Sequence, residues 1–169
     1  MTGYPESPPN LAIARINGGP LAPHLTGEVV FEEVPNGVMV AVYVQGLPPY
    51  QSGTNGKPIG PHGFHIHEHG VCDIGNPSDP FLSAGGHWNP TNQPHGNHAG
   101  DFPVLFSNNG MAYMVFFTDR FKIEDVIGKS IIIHEHPDDF VSQPSGDAGR
   151  RLACGVIERY VFNDQRYYY

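Results

Sequence analysis

Val38-Met39-Val40-Ala41-Val42-Tyr43-Val44 repeats valine at every second position, which places Val38, Val40, Val42 and Val44 on one face. A period of two marks a strand with one buried side, and β-branched valine suits a pleated surface. Just before it, Pro35-Asn36-Gly37 predicts a tight hairpin back to Gly27–Val34, because Asn-Gly readily supplies positive φ. Asn108-Asn109-Gly110 predicts another, leading into Met111–Thr118. Further short apolar or alternating stretches are Leu11–Ile16, Gly63–His69, Phe102–Phe106, Ser130–His134 and Ala153–Phe162. Eight such stretches with almost no helical periodicity predict an all-β sandwich or barrel.

The composition agrees with this. Of 169 residues, 39% are hydrophobic, enough for one core, and the 21 Gly and 17 Pro favour turns over long helices. No apolar run approaches the roughly 18 residues of a membrane span. Residues 10–162 read as one domain, preceded by a polar segment, Met1–Pro9, and followed by a tail, Asn163–Tyr169, that ends in three tyrosines. Met1–Pro9 has neither a basic start nor an apolar stretch, which predicts a cytoplasmic protein unless an export signal has been removed. The net charge of −8 disfavours nucleic acid and anionic membranes, and would also repel a small anion unless local positive charge overrides it. Two cysteines, Cys72 and Cys154, are too few for a cysteine-only zinc site; free, metal-bound and bridged states all stay open.

Two stretches break the strand pattern: Gly70–Gly100, rich in Gly, Pro, Asn and His, and Glu135–Arg150. Loops longer than about 15 residues are uncommon in compact domains and are usually functional. Most of the chemistry-bearing residues sit in or beside them. His65 and His67 share a strand face and can share a metal. A surface pair would explain His-x-His alone, but His87, His95, His98, Asp101 and His134 follow. Neutral imidazole suits copper and zinc, and zinc also accepts a carboxylate. His69 reads as a surface residue or a neighbour of the site rather than a ligand, His136, two residues past His134, as a surface residue in preference to one at the mouth of the site, and His24 and His62 as ordinary loop residues.

Four segments, in order, resemble the copper/zinc superoxide dismutase family over roughly residues 10–160. They are Gly63-Phe64-His65-Ile66-His67-Glu68, His87-Trp88-Asn89-Pro90, His98-Ala99-Gly100-Asp101 and Arg151-Leu152-Ala153-Cys154-Gly155-Val156-Ile157. The resemblance implies an eight-stranded antiparallel Greek-key sandwich or barrel with two long functional loops. It implies copper on His65, His67, His87 and His134, and zinc on His87, His95, His98 and Asp101, with His87 bridging. It implies that Asp138 links ligands of the two metals, that Arg151 beside the copper channel attracts and docks the anion, and that Cys72 and Cys154 form a disulfide. The bland alternatives, a solvated carboxylate and a strand-edge arginine, suit Asp139 and Arg150 better.

The implied activity is disproportionation of superoxide to dioxygen and hydrogen peroxide by redox-cycling copper, with zinc as a structural ion. The rival reading is a non-catalytic structural or copper-buffering protein on the same fold, which would need neither the copper histidines nor Arg151. The insert Asp73–Gly86 before His87 looks more like bacterial members than animal ones. The short His95–His98 spacing is unusual, and the segment from His134 to Arg151 lacks a lysine, which predicts weaker steering than in the best family members. The resemblance leaves a homodimer open.

Overall fold

The structure, a computed structural model, describes residues 10–53 and 56–161. The expected N-terminal segment 1–9 and tail 163–169 lie outside the described residues. Eleven strands follow in order: β1 (Leu11–Gly18), β2 (Thr26–Val34), β3 (Gly37–Gln45), β4 (Gln51–Ser52), β5 (Pro58–Ile59), β6 (Phe64–His67), β7 (Gly75–Asn76), β8 (Asp79–Pro80), β9 (Met111–Thr118), β10 (Ser130–His134) and β11 (Arg151–Arg159). A short helix, α1 (Ile123–Val126), separates β9 from β10, and a 3₁₀ turn covers Leu82–Ala84.

One curled antiparallel sheet of seven strands, ordered β6-β10-β11-β1-β2-β3-β9, makes the body of the molecule, so the all-β expectation is met. Strands β1, β2 and β3 are hairpin neighbours. The chain then crosses to the far side for β6, returns to set β9 beside β3, and crosses again to set β10 beside β6. Val38, Val40, Val42 and Val44 are all buried, as their alternation requires. In the β2–β3 turn it is Asn36, at φ 70°, that takes the left-handed conformation, while Gly37 already belongs to β3. In the turn before β9 both Asn109 and Gly110 take positive φ.

The stretch Phe102–Phe106 departs from expectation. It runs beside β6 with only isolated bridges, His65 with Asp101 just before the stretch and His62 with Leu105 inside it. Pro103 has no N–H to donate and interrupts the ladder between them. Seven strands rather than eight therefore form the main sheet.

Strand parity divides the molecule into an inside and an outside. Phe64 and Ile66 of β6 join Phe31, Val40, Ile131 and Ile133 in the main core. His65, opposite Ile132, and His67, opposite Ser130, must then face outward, on the side of the sheet covered by the long loops. Ile132 packs there with Phe81, Ala84 and Cys154 in a second small cluster, against which Cys72 rests. The Cys72–Cys154 disulfide, left open by the residues alone, closes a separation of 82 residues and fastens the first long loop to β11.

Closing a loop of that length is worth roughly 4 to 5 kcal/mol in the chain-entropy model. The double variant Cys72→Ser/Cys154→Ser should lower the urea midpoint of the metal-free protein accordingly. An unchanged midpoint would show that the crosslink is dispensable.

Candidate metal centre

The outward face of β6 and β10 carries His65, His67 and His134, and the first loop brings His87 over them. Trp88, the next residue, sits in the main core and donates its backbone N–H to Ile66 O at 2.8 Å, which pins His87 against β6. The ring centroids of His65 and His87 are 3.9 Å apart, and His67 Nε2 lies 3.3 Å from His134 Nε2. The C-terminal end of the same loop turns back to supply His95, His98 and Asp101. Asp101 Oδ2 accepts the backbone N–H groups of Gly96 at 2.9 Å and His98 at 3.0 Å, so the short His95–His98 spacing is folded around the carboxylate itself.

Two groups of four result. The ligand atoms of His65, His67, His87 and His134 lie within 4.8 Å of one another, as do those of His87, His95, His98 and Asp101. His87 belongs to both. These groups bring together every residue named as a metal ligand from the sequence.

Which nitrogens are free tests the fit to metals. His65 Nε2 and His95 Nε2 donate to Asp138 Oδ2 and Oδ1 at 2.7 and 2.8 Å, and His67 Nδ1 donates to Gly85 O at 3.0 Å. His134 Nδ1 faces Gly149 O at 3.2 Å. Each acceptor holds the proton on one nitrogen and leaves the opposite lone pair aimed inward. Buried His65 Nδ1, His87 Nε2, His95 Nδ1 and His98 Nδ1 have no hydrogen-bond partner. The last two lie 3.3 Å from Asp101 oxygens without hydrogen-bond geometry. Unpaired buried nitrogens are costly in a native protein, and a cation in each group would satisfy all four.

Electrostatics keep the donors in a ligating form. Burial, followed by the neighbouring imidazoles, pushes His65 and His67 well below the usual histidine range. Burial likewise lowers His87, and takes His134 down to about 3. Asp101 is held low although burial acts to raise it, because the His87 hydrogen bond and the nearby imidazoles outweigh that effect. Four imidazoles suit copper, and three imidazoles with one carboxylate suit zinc.

The family model for copper/zinc superoxide dismutase matches residues 25–157. The chain belongs to the copper/zinc superoxide dismutase family. It is 34% identical over 151 residues to the superoxide dismutase [Cu-Zn] of Deinococcus radiodurans, covering 79% of this chain and 78% of that one. It is 35% identical over 144 residues to that of Legionella pneumophila, covering 80% of each. The solved copper/zinc superoxide dismutase of Brucella abortus superposes with a TM-score of 0.70 at 30% identity, over 88% of this chain and 99% of that one. These relatives are all bacterial, in agreement with the expected bacterial-like membership.

Asp138 spans the two groups by holding His65 with one oxygen and His95 with the other. Gly146, at φ 65°, makes room for it. A Cβ there would stand 1.9 Å from Asp138 Oδ1 and 2.4 Å from His95 Nε2. Asp139, by contrast, is exposed and accepts the backbone N–H groups of Val141 and Ser142. Arg151, paired with His134 across the ladder, donates to Phe81 O at 2.5 Å and Gly85 O at 2.6 Å. Its charge adds to the lowering of both His67 and His134. The Gly85 carbonyl thus serves Arg151 and His67 together, a link that no side chain announces.

Two histidine assignments need correction. His62 is fully buried, with Nδ1 2.8 Å from His134 O and Nε2 3.0 Å from Pro48 O, so it braces the main chain of a candidate ligand. His136 is buried rather than exposed, with Nδ1 2.8 Å from Pro58 O. Both are anchored by backbone carbonyls distant in sequence, which no local motif signals. His24 and His69 are exposed, as expected.

Asparagine at 138 keeps the shape but offers only one oxygen where two imidazoles require acceptors. Asp138→Asn should weaken metal retention by about 10- to 100-fold, read by competition with a chromogenic chelator; wild-type retention would remove this link between the two groups.

Proposed function

We propose that this chain disproportionates superoxide, converting two superoxide anions and two protons to dioxygen and hydrogen peroxide. The observation that carries the reading is the shared ring of His87. Its Nδ1 lies 3.1 Å from Asp101 Oδ1 in one group, and its Nε2 is buried and unpartnered in the other. We assign copper to His65, His67, His87 and His134, and zinc to His87, His95, His98 and Asp101. Bound copper supplies the one-electron chemistry that oxidises one superoxide and reduces the next, while zinc is redox-inert.

The protein's own residues do the rest. His87 Nε2 can take up a proton and deliver it to reduced oxygen, and solvent supplies the second. Asp138 holds His65 and His95 in fixed tautomers, so the donor set does not reorganise between turnovers. Arg151, half-buried beside His134, keeps a permanent charge and a planar fork of donors for the incoming anion. The net charge of −8 opposes superoxide at long range, but screening confines that field to about 10 Å, within which a local guanidinium dominates. The same negative charge sets the chain against nucleic acid as a partner. No helix among the described residues is long and apolar enough to cross a membrane.

We further infer a homodimer, with residues 10–162 as the folded unit. The outward residues of β9, namely Met111, Tyr113, Val115 and Phe117, are 47–74% exposed, and Tyr43 of β3 lies directly opposite Tyr113. This uncharged stripe exposes about 500 Å² at roughly 200 Å² per full aromatic ring. That is the core of the ~800 Å² each partner contributes to a stable interface.

The copper- and zinc-loaded protein should consume superoxide. His134→Ala should keep zinc and lose activity, and Arg151→Ala should cost on the order of tenfold and flatten the salt dependence. Full activity in His134→Ala would overturn the copper assignment, and an unchanged rate in Arg151→Ala would end the steering argument. Sedimentation should give two copies for the wild type and one for Tyr113→Glu; a monomeric wild type would refute the dimer.

A further inference from the structure

Glu135 and Arg150 meet at the neck of the second long loop, one residue after His134 and one before Arg151. Arg150 Nε and Nη2 donate to the two carboxylate oxygens of Glu135 at 2.8 and 2.7 Å, and Glu135 N donates to Arg150 O at 2.9 Å. The Glu135 side chain is only 11% exposed. Around it the neck is stitched further: His136 N donates to Ala148 O, and Gly60 N and Gly63 N donate to Glu135 O and His136 O, each at 2.9 Å. All of this follows the irregularity between Ile133 and His134, where the β10–β11 register shifts just before the two strands part.

An exposed ion pair is worth little, but a two-pronged fork on a nearly buried carboxylate fixes the orientation of both partners. Arg150 stands immediately before the first residue of β11, so holding its side chain on Glu135 fixes where the backbone enters the strand at Arg151, opposite His134. There Arg151 bonds the other loop, at Phe81 O and Gly85 O. The backbone between the two arginines is gripped from both sides.

We propose that the Glu135–Arg150 pair is a clasp that positions Arg151, and that Arg150 is a positioning residue rather than a second steering charge. The inference rests on the reading of Arg151 as the anion-docking group. The two functions of Arg150 predict opposite signs. Adjacent residues lie about 4 Å apart along the backbone, inside the ~10 Å screening length. Glu135→Gln leaves the Arg150 charge uncompensated, so a masked steering charge would make superoxide arrive faster. A clasp makes it react more slowly.

The test compares Glu135→Gln, Arg150→Gln, the double variant and Arg150→Lys, all loaded with copper and zinc. Azide affinity is read from the copper spectrum, and hydrogen exchange from the Glu135 and His136 amides, alongside superoxide consumption and metal content. Each glutamine variant should bind azide about five- to tenfold more weakly, with metal content unchanged and faster exchange at the neck. The double variant should be no worse than the poorer single, and Arg150→Lys, which cannot hold both oxygens, should fall between. Unchanged azide affinity and exchange, strictly additive losses, or faster turnover in Glu135→Gln would overturn the clasp. If the wild type binds azide and the variants follow this pattern while none consumes superoxide, the clasp stands and the activity reading falls.

Discussion

Asp138 is buried, and its side chain takes three donors: His65 Nε2 on one oxygen, and His95 Nε2 with the Phe140 backbone N–H on the other. Removing a carboxyl group from water costs several kcal/mol unless hydrogen bonds replace hydration. Here the compensation comes from side chains of opposite ends of a two-part site. His65 belongs to β6 and His95 to the first long loop, while Asp138 belongs to the second loop. None of the three can move far without leaving an uncompensated group inside. The two clusters are therefore held at a fixed separation by the protein itself, before any cation enters.

The sheet supplies the platform for that arrangement through parity. On β6 and β10, Phe64, Ile66, Ile131 and Ile133 face the core. The intervening residues, His65 and Ile132, would face water on an ordinary antiparallel sheet. Instead the loops cover them, so these two strands are buried on both faces. Covering loops are expensive in conformational entropy. The Cys72–Cys154 bridge, the small cluster of Phe81, Ala84 and Ile132, and the Glu135–Arg150 fork each reduce that cost at a different point.

Much of this was readable from one-dimensional pattern. Alternation identified β3 and the shared face of His65 and His67, because both depend only on local parity. The loops stood out as interruptions, and the ordered motifs named the residues that the fold gathers into two groups. What pattern could not reach were features set by contacts between distant backbones. Phe102–Phe106 has strand-like composition, yet Pro103 and its place beside the short β6 reduce it to single bridges. His62 and His136 sit in unremarkable contexts and are buried by carbonyls of Pro48, Pro58 and His134. The Gly85 carbonyl has no side-chain signature at all.

Steering completes the physical picture. An acidic protein that handles an anion needs positive potential where the anion arrives, and in the proposed reading Arg151 supplies it. Burial makes its charge harder to keep, as the lowering of its proton affinity records. The same burial also strengthens its field, because less water screens it. Two backbone carbonyls, at Phe81 and Gly85, solvate the guanidinium without cancelling its charge. Arg150, one residue earlier, is treated differently: a full carboxylate neutralises it. Side by side, one arginine is solvated by dipoles and keeps its field, while the other is paired with an ion and contributes structure. In that reading the difference in partner, rather than the number of basic residues, decides which of them an anion can feel.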